Sequence, residues 1–132
     1  MSTPGSSTIA VYAAVATGGA IGATLRHAIN LTLKGVAGAF PLSTLLVNVL
    51  GSFVIGLIVA WAAAEGGEPG LWRGLVQVGL LGSLTTFSTF SVETLVLMEA
   101  GRGGLAGLSV ALNLALALGG CWAGLTAGRL IW

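Results

Sequence analysis

Three uncharged intervals constrain this chain more than any other feature. They hold 30 residues between Lys34 and Glu65, 19 between Arg73 and Glu93, and 26 between Arg102 and Arg129. A helix crossing the hydrocarbon core of a bilayer needs about 20 predominantly apolar residues. Only 7% of the 132 residues are charged, against about a quarter in soluble domains. A net charge of +1 offers no basic surface for nucleic acid. The single cysteine rules out a disulfide-stapled secreted domain. One His, one Cys and four carboxylates assemble no enzyme site. The chain reads as an integral membrane protein.

Four spans are predicted: from about Ile9 to the region of Arg26, Leu42 to Ala64, Leu71 to Met98, and Leu105 to Ala127. Residues 1–8 form a polar lead-in expected to be disordered, and no Lys or Arg precedes the apolar stretch, as a cleaved signal requires. The linkers Lys34–Pro41, Glu65–Gly70 and Glu99–Gly104 are short, so residues 1–132 make one four-helix transmembrane domain. With this topology, Arg73 and Arg129 share a side with the termini, while Arg26, Lys34 and Arg102 lie opposite. Orientation follows the Lys/Arg bias of short loops, and three against two is nearly none. Such a chain can insert either way up, which makes an antiparallel homodimer the economical assembly. Tyr12, Trp61, Trp72 and Trp132 gather at the termini-bearing interface, where amphipathic rings settle.

Polar residues mark each helix differently. Gly18 and Gly22 in the first span, and Gly120, Gly124 and Gly128 in the fourth, repeat the small-xxx-small device for close helix packing. Thr44, Asn48 and Ser52 recur every fourth residue on one face of the second span, and Ser109 and Asn113 repeat the pattern in the fourth. An amide in hydrocarbon needs partners or a wet cavity, so these stripes fit an interhelical hydrogen bond or a pore lining equally. The third span is the specific one. Gly82-Ser83-Leu84-Thr85-Thr86-Phe87-Ser88-Thr89-Phe90-Ser91 contains six hydroxyl residues in ten, and such side chains compete with the helix for backbone groups. A break is expected here, exposing carbonyls suited to an alkali cation, with Phe87 and Phe90 on one side of the helix that follows.

The stretch GSLTTFSTFSVE closely resembles the third-helix signature of the small bacterial fluoride channels, the Fluc or CrcB proteins. GGAIGATLR (Gly18 to Arg26) and STLLVNVLGSFVIG (Ser43 to Gly56) resemble the family's first- and second-helix motifs. The resemblance implies an antiparallel dual-topology homodimer in the bacterial cytoplasmic (inner) membrane, embedded in lipid, that exports fluoride passively through two pores. It implies a central structural sodium ion on the main-chain carbonyls of Gly82 and Thr85. It places Phe87, Phe90 and Asn48 in the pore, Ser88, Thr89, Ser91 and Asn113 on a polar track, and Arg26 at a vestibule. Ser83 stands where the family usually has glycine, and His27 where an aromatic is common. The rival reading is a small four-helix drug–proton antiporter, but the first span lacks the buried carboxylate that such a transporter needs.

Overall fold

The computed structural model describes residues 7–66 and 70–132, all helix and connecting turn. Four helices are long and apolar enough to cross a membrane. The first is α1 (Thr8–Leu33) and the second α2 (Leu42–Glu65). The third span is composite: a π-helical segment (Arg73–Leu81), the short turn α3 (Gly82–Leu84), then α4 (Phe87–Glu99). The fourth is α5 (Gly103–Ile131).

The ends of these helices show what local chemistry decides. Ser7, expected within a disordered lead-in, instead caps α1, its Oγ accepting the Ala10 N–H at 3.2 Å, and Thr8 is already helical. Residues 1–6 of that lead-in, and 67–69 of the second loop, lie outside the described residues. α1 continues past Arg26 and His27 to Leu33, about two turns beyond the expected span. His27 is exposed, and long basic side chains near a helix end can carry their charge to the interface, so neither residue stops the helix. Gly66 does stop α2. It takes the left-handed conformation (φ 61°, ψ 14°) that a side chain disfavours and that closes many helices.

The helices form two tight pairs, and glycines define both. α2 packs along α5: a Cβ on Gly56 would collide with the Cys121 carbonyl oxygen, one on Gly124 with the Phe53 carbonyl oxygen, and one on Gly128 with the Ala60 Cβ. α1 packs along the π-helical segment. Gly18 lies on the Leu75 carbonyl and Gly22 on that of Leu80. Two carbonyls five residues apart stack in a π-helix, where hydrogen bonds run i to i+5, so the wide turn matches glycines spaced four apart on α1. This is the small-residue packing expected of helices in lipid, where backbones must approach closely.

The interior is thin. Val47, Leu45, Ala106 and Leu97 are buried, but much of each helix faces outward, as lipid permits. α4 touches mainly α5 and leaves Phe87, Val92, Leu95 and Val96 exposed on the single chain. At the termini-bearing end Trp61 and Trp72 meet edge to face, centroids 4.6 Å apart.

Candidate functional site

Helical winding stops at Leu84 and resumes at Phe87. Between them Thr85 (φ −79°, ψ 154°) and Thr86 (φ −154°, ψ 122°) are extended. Extended backbone in the middle of a membrane segment must have its N–H and C=O groups satisfied from elsewhere. Side chains supply this. The Thr86 N–H donates to Asn48 Oδ1 at 2.8 Å, and the Asn48 amide donates back to the Thr86 carbonyl at 3.1 Å. Thr86 then caps α4: its Oγ1 accepts the Thr89 N–H at 3.1 Å and donates to Thr89 Oγ1 at 3.0 Å. On the other flank Thr85 Oγ1 donates to the Leu81 carbonyl at 3.0 Å.

The same network reaches α5. Asn48 Nδ2 also donates to Asn113 Oδ1 at 3.0 Å, and Asn113 Nδ2 donates to the Ser109 carbonyl at 3.0 Å. Ser109, Asn113 and Thr86 are all buried. Each neutral bond contributes about 1 kcal/mol net, but removing one partner of a buried pair costs roughly 1–3 kcal/mol for the group left behind. The two asparagines therefore do meet across helices. Thr44, the first polar residue of the α2 stripe, is buried elsewhere, its Oγ1 without a hydrogen-bond partner among the described residues.

Beside the network lies a cavity of about 240 Å³, lined by Asn48, Ser52, Thr85, Thr86, Phe87, Phe90 and Asn113 together with apolar residues of α5. The two rings touch, centroids 5.4 Å apart and planes tilted by 59°. They differ in setting: Phe90 is 7% exposed and Phe87 73%. Four of the residues expected in a pore, Asn48, Phe87, Phe90 and Asn113, thus share one cavity. Ser88, Thr89 and Ser91 do not line it. Ser88 and Thr89 side chains turn to Thr86 Oγ1, and Ser91 donates to the Phe87 carbonyl at 2.9 Å. Arg26 also lies outside this cavity. Ser109, paired with Asn113 in the sequence, joins the network as that pattern suggests, whereas Thr86 is the member that sequence reasoning did not single out. The only available signal for Thr86 was its type, since threonine is a favoured N-cap.

A second cavity, about 480 Å³, opens where Lys34 and Arg102 lie, at the ends of α1 and α4. Glu93 and Asn30 line it, and Glu93 Oε2 and Asn30 Oδ1 are buried without a hydrogen-bond partner among the described residues. Two cationic side chains and one carboxylate thus share its lining. Among the described residues no group of three or more His, Cys, Asp and Glu side chains is placed to hold a metal ion.

Comparison with known proteins places these features in a family. The family model described as CrcB-like protein, Camphor Resistance (CrcB), matches residues 13–125. The resemblance seen in the third-span motif therefore extends across all four helices. Fluoride-specific ion channel FluC 2 of Symbiobacterium thermophilum is 44% identical over 113 residues, which cover 85% of this chain and 92% of that protein. Fluoride-specific ion channel FluC of Methylobacterium nodulans is 41% identical over 112 residues, 85% of this chain and 90% of the relative. Its namesake in Shewanella amazonensis is 52% identical over 105 residues, 79% and 84% of the two chains. These relatives carry the names of channels, not of catalysts.

Proposed function

On the premise that this chain belongs to the CrcB-like family, we propose that it is a fluoride-selective channel that lets the anion leave the cytoplasm passively. Fluoride enters cells as the neutral weak acid and is trapped as the anion, so an outward leak down the voltage gradient suffices. The observation that carries this reading is the cavity in which Phe87 and Phe90 stand beside the amides and hydroxyls of α2, α5 and the Thr85–Thr86 break. A small, strongly hydrated anion leaves water only where donors replace it. The edges of aromatic rings are electropositive, and the Ser52 hydroxyl on the cavity wall carries a donor hydrogen. No fixed cation lines this cavity, which suits conduction, since a site must release what it binds.

In this reading two chains assemble antiparallel in the bacterial inner membrane, giving two pores. The nearly balanced loop charges support dual insertion, and exposed Phe87, Val92 and Leu95 on α4 supply an apolar face for the second copy. The Gly82 and Thr85 carbonyls would hold a structural sodium ion in this assembly. The fit rests on hydrogen bonds of this chain. In a continuous α-helix Gly82 would accept from the Thr86 N–H, and Thr85 from the Thr89 N–H. Both donors are engaged by side-chain oxygens instead, Asn48 Oδ1 and Thr86 Oγ1. The ion would neutralise the partial charge of carbonyls converging at the dimer centre. The rival drug–proton antiporter needs a carboxylate within α1, and α1 contains none.

Purified protein in liposomes is expected to discharge a fluoride gradient while retaining chloride, followed with ion-selective electrodes. Equal release of both anions, or of neither, refutes the channel reading. Orientation is read on a Cys121→Ser background carrying Gly104→Cys, a position with open space around it. An impermeant thiol label applied from either side should reach about half the chains, as nearly unbiased insertion requires. Labelling from one side only contradicts dual insertion.

A further inference from the structure

Both N–H bonds of the Asn48 amide are already spent, one on the Thr86 carbonyl and one on Asn113 Oδ1. Its oxygen is held by the Thr86 N–H. The orientation of this amide is therefore set by the backbone it faces: only with Oδ1 toward the N–H and Nδ2 toward the carbonyl do both groups find partners. In this geometry Asn48 has no hydrogen left to offer an ion in the cavity it lines.

We infer that Asn48 is a positioning residue: by pairing with both backbone groups of Thr86 it draws the Thr86 N–H away from the Gly82 carbonyl and holds the extended Thr85–Thr86 pair open. The argument rests on competition. The Thr86 N–H has one alternative partner in easy reach of a helix, the Gly82 carbonyl four residues back, and taking it would wind α3 into α4. Asn48 outcompetes that bond because it satisfies the carbonyl of the same residue as well. Serine or threonine in its place could not span both groups, and glutamine would carry its amide one methylene too far.

The neighbourhood is built for the clamp. Gly51, on the next turn of α2 and on the same side, lies against the Thr85 Cγ2, and a Cβ there would collide with it. Gly120 and Gly124 of α5 lie against the Val49 and Phe53 backbone. These contacts hold the turn that carries Asn48 at a fixed height against α5, where Asn113 Oδ1 accepts the second amide hydrogen. This inference rests on the channel reading only in linking the clamp to permeation.

The test is amide hydrogen exchange of Thr86 in the full-length protein, labelled with ¹⁵N-threonine, in lipid nanodiscs and in fluoride-free buffer. Thr94 in the middle of α4 serves as internal reference. In the wild type Thr86 should be protected. Asn48→Ala should raise its exchange at least tenfold with Thr94 unchanged, and should lower fluoride efflux from liposomes at least tenfold. Asn113→Ala removes a cavity-lining amide but not the clamp, so Thr86 exchange should stay within about twofold of wild type. If Asn48→Ala does not assemble, Asn48→Ser gives the same readout. An unprotected Thr86 in the wild type, or unchanged exchange in the Asn48 variants, overturns the clamp. Accelerated exchange with undiminished efflux overturns its link to permeation. Protected Thr86 in a wild-type protein that moves no fluoride refutes the channel reading and leaves the clamp standing.

Discussion

Phe87→Ile is expected to cut fluoride efflux per dimer about tenfold while leaving the folded chain intact. Isoleucine keeps much of the volume but has no electropositive edge to present to an anion, and an edge contact of order 1.4 kcal/mol corresponds to a tenfold change. Phe87 is 73% exposed on the single chain, so its replacement creates no cavity in the monomer. Phe90→Ile should reduce efflux similarly but at a stability cost of roughly 1 kcal/mol, because this ring is buried. Since the rings touch, the double variant should lose less than the product of the two, between about tenfold and a hundredfold. The measurement is fluoride efflux from liposomes divided by dimer yield from gel filtration. If both single variants carry fluoride at the wild-type rate per dimer, the rings are packing residues and the pore lies elsewhere.

Exhaustive removal of sodium should lower fluoride flux at least tenfold, and slowly, with lithium a poor substitute because its smaller size would mismatch the proposed cage of backbone oxygens. Thr85→Ser should be mild, since it keeps the main-chain carbonyl and the hydroxyl that donates to Leu81. Gly82 is the sharper probe. A Cβ there would meet nothing nearer than the Gln77 carbonyl at 3.8 Å, so Gly82→Val has room within one chain. Loss of flux or of dimer in Gly82→Val would therefore report on what faces the chain, a second copy and its shared cation. Undiminished flux in sodium-free medium, with Gly82→Val behaving as wild type, would refute the central sodium site.

The four helices were legible because charge in lipid is costly: the gaps between charges bound each span to within a few residues, as with α2 ending at Glu65 beside the expected Ala64. The overrun of α1 was not, since a charge at a span's end does not terminate winding. Nor was the π-helical segment, which depends on matching Leu75 and Leu80 to the glycines of α1, a relation between two helices. At the site, the asparagines and the phenylalanines stand out against apolar surroundings. Thr86 does not. Six hydroxyl residues in ten look alike along the chain, and the one whose backbone turns outward is chosen by Asn48, 38 positions away. Ser88, Thr89 and Ser91 share the composition of a polar track, yet their hydroxyls are drawn to local partners on α4 and its cap.

The polar chain from Ser109 through Asn113 and Asn48 to Thr86 has a consequence for the cell's energy currency. A file of waters, hydroxyls or imidazoles passes protons along, because each member can accept at the atom or ring from which it later donates. An amide cannot: it accepts at oxygen and donates from nitrogen, and handing a proton onward would require a high-energy tautomer. Both links of this chain between helices pass through amides, and the Asn48 amide is locked in orientation by the backbone of Thr86. The network therefore carries hydrogen-bonding capacity into the apolar interior while acting as an insulator for protons. A membrane that maintains a proton gradient tolerates buried polarity of this kind, where a continuous line of hydroxyls and water would short it.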